Sequence, residues 1–329
     1  MRYSVVIPVY NRPGEIDELL KTLTEVTYKS FEVLVIEDGS TNTCAHIIDR
    51  YADSLDIRYF QKENTGQGFS RNFGFKRAKG DYYVVFDSDC LIPAHYFDAV
   101  NEVIDQHNGI DCWGGPDRAH ESFTPVQKAI NYSMTSLFTT GGTRGNRHHI
   151  GSYHPRSFNM GISKEVFAET RGYIITRMGE DIEFSIRIQK SRFNAHLIND
   201  AFVYHKRRTS FKQFYKQLFF FGRARVNIWR FHPKELKVVH LFPLLFAVFL
   251  IYSAVGLLFN FPLSKELMML YLVFGVVLMA DAYRIEKSIL VALYAAAAGF
   301  IQLTSYGLGF LREIFRANKE QGDSIINTD

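Results

Sequence analysis

Apolar and amphipathic segments alternate through roughly the first hundred residues of the chain. Four short runs rich in β-branched and aromatic residues have the pattern of buried strands, at 4–9, 31–36, 57–60 and 82–86. The spacing of apolar residues between them predicts helices at 16–23, 43–51, 68–78 and 94–107. This order predicts an α/β fold with a mainly parallel central sheet covered on both faces. In such sheets, functional side chains lie at the carboxyl ends of the strands.

The hydrophobic pattern changes in the last third of the chain. Residues 238–259 and 288–311 contain no charged side chain, and at 1.5 Å per residue each stretch is long enough to cross a hydrocarbon core of about 30 Å. A third stretch, 267–280, has only 14 uncharged residues, so it either spans with help from its flanks or is re-entrant. We therefore predict C-terminal transmembrane helices, two to three in number, over 238–311, and a polar tail over 312–329.

A basic segment precedes the first of these apolar stretches. Residues 205–237 contain ten Lys or Arg against one acid, Glu235. Because cytoplasmic flanks of membrane helices are rich in Lys and Arg, we expect a multi-pass protein of the inner (plasma) membrane with a cytoplasmic N-terminal domain. Aromatic residues interleaved with the positive charge predict a basic amphipathic interfacial helix over 211–237, lying on an anionic leaflet. An ordinary amphipathic surface helix is the alternative.

The orientation of the tail stays open at this point. Three spans would place Arg312, Arg316 and Lys319 outside, against the tendency of positive residues to remain in the cytoplasm. Two spans and a re-entrant segment would keep them inside.

Composition and charge narrow the function classes. The chain has 329 residues with 38 Lys or Arg against 34 Asp or Glu, a formal charge of only +4, and we expect no nucleic-acid partner. Its three cysteines (Cys44, Cys90 and Cys112) lack the spacing of a disulfide framework or a zinc site, which predicts buried thiols in a reducing compartment. The first apolar run is too short for a signal peptide.

Acidic residues lie where chemistry is expected in this fold. Asp87 and Asp89 follow the strand at 82–86, and two such carboxylates are suitable ligands for Mn²⁺ or Mg²⁺. Asp181, beside Glu180, precedes a helical pattern and is a candidate general base. His205 closes an apolar run, and neutral imidazole suits the same metal. Each candidate has a structural alternative. Asp87 and Asp89 could belong to a solvated turn, Asp181 could be stabilised by the dipole at a helix start, and His205 could be a structural histidine.

Polar residues also lie at or near the other predicted strand ends. Tyr10 follows the first strand, and Asp38 follows the second, where its carboxylate is suited to bind a nucleobase or ribose. Arg71 is suited to grip a phosphate or a pyrimidine edge. The first strand is not followed by G-x-G-x-x-G, and the P-loop and G-x-S-x-G patterns are missing from the sequence. These observations disfavour a dinucleotide-binding Rossmann site, a P-loop NTPase and a hydrolase.

Taken together and in order, these motifs resemble the family 2 glycosyltransferases, which have the GT-A fold. The matching segments are Val6-Ile7-Pro8-Val9-Tyr10-Asn11, Glu37-Asp38-Gly39-Ser40, 64–72, Asp87-Ser88-Asp89, Gly179-Glu180-Asp181 and Val203-Tyr204-His205. The match covers roughly residues 3–225, and it implies a GT-A domain over 1–210. The family implies a nucleotide-sugar donor, a divalent metal and inversion at the anomeric carbon. The Gln-x-x-Arg-Trp motif of processive synthases is absent, which favours addition of a single sugar.

The resemblance also implies a role for each matching residue. Asp181 matches the catalytic base, and Asp89 and His205 match the metal ligands for Mn²⁺ or Mg²⁺. Gly161, in Asn159-Met160-Gly161, resembles the glycine of a donor-binding loop. The residues implied to bind substrate are Pro8, Tyr10, Asp38, Arg71, Asp87, Ser88, Gly161 and Glu180.

The expected partners are a UDP- or GDP-linked sugar donor, the membrane, and a lipid-linked or saccharide acceptor used in cell-envelope or surface glycan synthesis. Residues 139–157, with Arg144, Arg147 and Arg156, are predicted to close over the donor or clamp a lipid diphosphate; an irregular loop is the alternative. Two other functions stay open. One is a polyprenyl-phosphate glycosyltransferase, whose acceptor is the lipid phosphate, and the other is a nucleotide-sugar-binding membrane pseudoenzyme.

Overall fold

The computed structural model describes residues 2–141 and 153–316. These residues form two compact units, one of residues 2–118 and 153–205 and the other of residues 119–141 and 206–316. The division differs from the predicted domain over 1–210, because residues 119–141 group with the C-terminal helices. The reason is a shared apolar core, in which Ala129 and Tyr132 pack with Leu278 and Ala282.

The secondary structure follows the predicted alternation. The strands are β1 (Tyr3–Val9), β2 (Phe31–Asp38), β3 (Ile57–Lys62), β4 (Tyr82–Phe86), β5 (Cys90–Leu91), β6 (Cys112–Gly114), β7 (Asp117–Arg118), β8 (Asn159–Ser163), β9 (Ala195–Leu197) and β10 (Val203–His205). The helices are α1 (Pro13–Glu25), α2 (Ala45–Ile48), α3 (Gln67–Phe75), α4 (Tyr96–Gln106), α5 (Pro125–Thr135), α6 (Leu137–Thr140), α7 (Lys164–Thr170), α8 (Glu180–Lys190), α9 (Phe211–Phe231), α10 (Phe242–Phe259), α11 (Ser264–Glu286) and α12 (Ile289–Arg316).

The first unit contains the predicted mainly parallel sheet, with strand order β3-β2-β1-β4-β8-β6-β9. Strands β1 to β4 pair in parallel, and β8 runs antiparallel between β4 and β6. Along β1, Val5 and Ile7 face one apolar core, whereas Val6 faces a second core on the other side of the sheet. A strand buried on both faces reads as a continuous apolar run, which explains why the sequence pattern was informative here. Helices on both faces confirm the predicted fold class.

A second, three-stranded sheet has the order β5-β10-β7. Strand β10 pairs antiparallel with β5, which sets His205 opposite Cys90. Since β5 begins directly after Asp89, this pairing joins the end of the first unit to the acidic motif that follows β4. The predicted buried state of the three cysteines is confirmed.

The environment of Gly161 contradicts the predicted donor loop. Gly161 lies inside β8, where it pairs with Val84 and Trp113. A Cβ atom at this position would lie 2.1 Å from the indole ring of Trp113, so glycine is required for the ring to pack against the strand. The loop prediction was wrong because a buried five-residue strand between distant partners leaves only a weak local pattern.

The second unit contains three helices that are long and apolar enough to cross a membrane, among the residues described: Val238–Phe259, Ser264–Glu286 and Ile289–Arg316. The predicted 14-residue stretch is the middle of the continuous, 23-residue helix α11. Helix α9 covers most of the predicted interfacial helix. Its apolar residues Phe214 and Leu218 are buried with Ile130 and Ala298, so this side of α9 contacts other helices of the chain.

Candidate functional site

The side chain of Arg71 joins the two acidic motifs of the first unit. It lies on α3 and is only 1% exposed. Its Nη2 is 2.7 Å from Asp87 Oδ1, just after β4, and its Nη1 is 3.1 Å from Glu180 Oε1, at the start of α8. One buried guanidinium thus holds together two segments that are far apart in the sequence.

This position differs from the predicted role of Arg71 as a direct contact to a phosphate or pyrimidine. Its guanidinium is buried and paired with two carboxylates, so it supports the acidic motifs in this structure, and a direct contact with substrate stays a prediction. Glu180 is buried as well and also accepts a hydrogen bond from Gln67. Burial raises the pKa of Glu180 and the neighbouring Asp181 raises it further, whereas Arg71 lowers it.

Asp89 and His205 form a close pair. Asp89 is buried, and its Oδ1 lies 3.0 Å from Nε2 of His205. The imidazole stacks on Phe158 with 4.9 Å between the ring centroids, which fixes its orientation. The other carboxylate oxygen, Oδ2, lies 2.9 Å from Nη1 of Arg12. The two predicted metal ligands are therefore adjacent.

The donor atoms at this point fit a divalent cation. Asp89, Cys90 and His205 each offer one ligand atom, and these atoms lie within 4.8 Å of one another. Burial raises the pKa of the Cys90 thiol, and soft sulfur is in any case less suited to Mn²⁺ or Mg²⁺ than oxygen ligands. The remaining donors are a carboxylate and an imidazole, which suit Mn²⁺ or Mg²⁺ when substrate oxygens and water complete the coordination.

Asp181, the predicted base, lies in the first turn of α8. Its Oδ1 accepts a hydrogen bond of 2.8 Å from the backbone N–H of Ile182, and its Oδ2 lies 3.5 Å from Nη1 of Arg156. The side chain is partly exposed, in contrast to that of Glu180. Asp181 therefore combines a fixed orientation with access for a substrate. Arg144 and Arg147, predicted to act on the donor or a lipid diphosphate, lie outside the described residues.

The carboxylate of Asp38 is occupied by neighbouring groups of the protein. Its Oδ1 accepts from the backbone N–H of Thr65 and from Lys62, and its Oδ2 accepts from the N–H of Gly66, with 2.9 Å to each backbone nitrogen. These bonds shape the loop before α3. The carboxylate of Asp38 therefore helps to hold this loop at the end of β2, and its predicted contact with a nucleoside stays a prediction.

The remaining predicted substrate-binding residues lie at the carboxyl edge of the sheet. Tyr10 follows β1 and is 52% exposed, so its ring is accessible to a ligand. Pro8 lies inside β1 and is partly buried. Asp87 is partly exposed, and Ser88 is buried.

Two residues that follow β1 have contacts at this edge to which the sequence assigned no role. Arg12 contacts Asp89, and Asn11 accepts hydrogen bonds of 2.9 Å from the backbone N–H groups of Thr41 and Asn42. Asn11 has φ of 54°, a conformation that asparagine tolerates better than most residues. The available signal was position alone, since both residues lie within three positions of the end of β1.

Comparison with known proteins identifies relatives of this chain. The family model described as glycosyl transferase family 2 matches residues 4–185. An uncharacterized glycosyltransferase of Haemophilus influenzae is 30% identical over 217 residues, which is 63% of this chain and 70% of the relative. The poly(ribitol-phosphate) beta-N-acetylglucosaminyltransferase TarS of Staphylococcus aureus is 33% identical over 157 residues, 44% of this chain and 27% of TarS.

A solved structure shares the fold. The mannosyltransferase PcManGT from Pyrobaculum calidifontis has a TM-score of 0.63 and 17% identity, over 91% of this chain and 86% of that one. Other relatives are much longer than the part that matches: this chain spans 22% of the length of an uncharacterized glycosyltransferase from Rickettsia felis. The family match nevertheless covers more than half of this chain and includes every acidic motif up to Asp181. The chain therefore belongs to glycosyl transferase family 2.

Proposed function

We propose that this glycosyltransferase moves a single sugar, with inversion, from a UDP- or GDP-linked donor to a lipid-linked or saccharide acceptor in cell-envelope or surface glycan synthesis. The observation that carries the proposal is the Arg71 bridge, because it holds Asp87 and Glu180, and with them the adjacent Asp89 and Asp181, in one region. Donor phosphates and an acceptor hydroxyl need such groups close together.

The names of related proteins support this donor class. TarS is named as a beta-N-acetylglucosaminyltransferase that acts on poly(ribitol-phosphate), and the PcManGT structure is described as a complex with GDP-Man and Mn²⁺. Nothing in the two names selects one nucleotide for this chain. We accordingly propose a nucleotide sugar with either a uridine or a guanosine diphosphate.

In the proposed reaction, Asp181 accepts the proton of the acceptor hydroxyl as its oxygen bonds to the anomeric carbon. The bond from that carbon to the diphosphate oxygen breaks, and the leaving group carries away the electron pair. The Ile182 N–H, 2.8 Å from Oδ1, keeps the carboxylate oriented. Arg156 lies 3.5 Å from Oδ2, where its positive charge also suits a donor phosphate.

Asp89 and His205 are the residues that we propose to hold Mn²⁺ or Mg²⁺. When bound, such a cation supplies positive charge that offsets the charge developing on the leaving diphosphate. The guanidinium of Arg12 also pairs with the carboxylate of Asp89. Although burial opposes the charged form, Asp89 and Glu15 raise the pKa of Arg12 above its usual value.

Because Arg12 and a cation share Asp89, we expect Arg12→Gln to bind Mn²⁺ more tightly than the unmodified protein. The ion pair is partly exposed, so its loss is worth about 1 kcal/mol, or roughly fivefold in affinity. Titration of Mn²⁺ followed by electron paramagnetic resonance measures this directly. Arg50→Gln, which removes an equal charge from an exposed pair with Asp17, is the control. Equal affinities in all three proteins would show that Arg12 does not compete.

A donor panel tests the proposed function itself. We expect one class among UDP-GlcNAc, UDP-glucose and GDP-mannose to stabilise the purified full chain when Mn²⁺ is present, by about 2.7 kcal/mol at a hundredfold excess over Kd. Slow release of nucleoside diphosphate should accompany it. Thermal unfolding and a coupled diphosphate assay measure the two effects, with EDTA as control. Stabilisation without hydrolysis or transfer would favour the pseudoenzyme, and no stabilisation by any donor would contradict the proposal.

We further propose that the second unit attaches the protein to the inner membrane, with the catalytic unit on the cytoplasmic side. Three described helices have the necessary length and composition. The excess of Lys and Arg before the first of them favours this orientation. Attachment would concentrate the enzyme near a lipid-linked acceptor, which cannot leave the bilayer.

A further inference from the structure

The contacts of α9 provide a reference for counting membrane crossings. This helix carries Lys212, Lys216, Arg223, Arg225 and Arg230, and so many charges exclude it from the hydrocarbon core. Helix α9 therefore marks one face of the bilayer. If a later residue lies against α9 at that same face, the chain between the two crosses the membrane an even number of times.

The carboxylate of Glu313, near the end of α12, lies against α9. Its Oε2 is 2.8 Å from Nε of Arg223, and its Oε1 is 3.2 Å from Nη1 of Arg230. Arg230 also donates to the backbone carbonyl of Glu313 at 3.2 Å. Glu313 is buried, so loss of these partners would leave a charge without compensation. The contact is thus a strong constraint on where α12 ends.

Three glycines allow the backbones to approach closely in the same region. A Cβ at Gly309 would lie 2.0 Å from the carbonyl oxygen of Phe219, and one at Gly222 would lie 2.0 Å from that of Tyr306. A Cβ at Gly307 would lie 2.2 Å from the carbonyl oxygen of Pro243, at the start of α10. The last third of α12 therefore lies against α9 and against the entry of α10 into the membrane.

The end of α11 contacts another polar helix of this unit. Tyr132 on α5 donates a hydrogen bond of 2.9 Å to Oδ2 of Asp281, and Ser133 donates one of 2.9 Å to Gln302 of α12. Helix α5 also carries Lys128 and Asn131, and Asn131 is bonded to Arg207 just before α9. The end of α11 is therefore on the α9 side as well.

The fraction of buried residues distinguishes α12 from the other two apolar helices. Twelve of its 28 residues are buried, against four of 18 in α10 and three of 23 in α11. Large apolar side chains such as Val248, Phe249, Leu270 and Val273 are exposed on α10 and α11. The surfaces of α10 and α11 are therefore largely exposed and suited to contact lipid, whereas much of the surface of α12 is covered by protein.

From these contacts we propose that α10 and α11 cross the bilayer as a hairpin and that α12 does not cross it. The proposal rests on the membrane attachment proposed above. The turn at 260–263 is then on the far side, and α12, about 42 Å long at 1.5 Å per residue, runs along the near side from the end of α11 to α9. This arrangement keeps Arg284, Lys287, Arg312 and Arg316 on the α9 side, as the distribution of positive charge favours.

Three single-cysteine variants of the full chain test the count of crossings. Lys216→Cys reports on α9, Pro262→Cys on the α10–α11 turn, and Phe315→Cys on the last turn of α12, and all three positions are exposed. The native cysteines are buried and give a low background. We expect a membrane-impermeant maleimide to label Pro262→Cys in intact cells, and to label Lys216→Cys and Phe315→Cys only after the inner membrane is opened.

The outcomes separate this proposal from the one on which it rests. Labelling of Phe315→Cys together with Pro262→Cys would mean three crossings and would overturn the hairpin. Labelling of Phe315→Cys only in detergent would place the end of α12 within the bilayer and would also overturn it. Release of the protein from membranes by carbonate would contradict membrane attachment instead. Labelling of Lys216→Cys and Phe315→Cys from outside, without Pro262→Cys, would keep the hairpin and reverse the cytoplasmic orientation.

Discussion

Asp181→Asn is expected to lower kcat by about 10²- to 10⁴-fold, the usual contribution of a positioned general base, while donor affinity changes little. An amide keeps the size of the side chain and its hydrogen bond with the Ile182 N–H, but it cannot accept the acceptor proton. Steady-state transfer with the donor identified in the panel measures kcat, and thermal stabilisation by that donor measures binding. Asp53→Asn, at an exposed position of the same unit, is the matched control.

Two results would argue against Asp181 as the base. Unchanged turnover with a hydroxyl acceptor would remove the assignment. Unchanged turnover with a polyprenyl phosphate would favour the alternative glycosyltransferase, because a phosphate acceptor has little need of deprotonation. A parallel loss of stability and donor binding would instead point to disturbance of the buried Glu180–Arg71 pair next to it.

Asp89→Ala is expected to weaken Mn²⁺ binding at least about a hundredfold, because it removes the charged member of the proposed ligand pair and cation binding is worth several kcal/mol. Donor binding in the presence of Mn²⁺ should fall with it. Titration of Mn²⁺ by electron paramagnetic resonance and calorimetry with the donor measure the two effects. If the unmodified protein transferred sugar at an unchanged rate in EDTA, the metal assignment would be contradicted.

The same substitution also leaves Arg12 without one carboxylate, so a folding defect must be separated from a lost ligand. The double variant Arg12→Gln/Asp89→Ala removes both charges and should recover whatever stability the single variant loses. Its Mn²⁺ affinity should stay as low as that of Asp89→Ala. If the double variant bound Mn²⁺ normally, the effect of Asp89→Ala would be structural.

Local patterns were sufficient for most of the first unit. The runs at 31–36 and 82–86 became β2 and β4, because strands buried on both faces must be apolar at successive positions. The helix pattern at 16–23 became α1, whose Ile16, Leu19, Leu20 and Leu23 are buried. The predicted helix at 43–51 is shorter, with α2 followed by one 3₁₀ turn over Asp49–Tyr51. Its few apolar residues cannot distinguish a turn from a longer helix.

Local patterns were not sufficient for the contacts of polar side chains. The burial of Arg71 and Asp38 depends on partners at Asp87, Glu180 and Gly66, which the periodicity of apolar residues cannot identify. The same holds for Arg12, since its partner Asp89 follows a different strand. The grouping of 119–141 with the C-terminal helices likewise depends on packing between distant segments.

The order of apolar and polar residues was enough to establish an α/β sheet, its acidic edge and a hydrophobic C-terminal region. Each of these features depends on whether residues close together in the sequence are buried or exposed, which a local pattern reveals. Three arrangements could be found only in the folded structure: Arg71 lies between two acidic motifs, Asp89 lies beside His205, and Glu313 contacts α9. In all three, polar or charged groups from remote segments compensate for one another's burial. The free energy of such a contact depends on distance in space, which the order of residues alone does not specify.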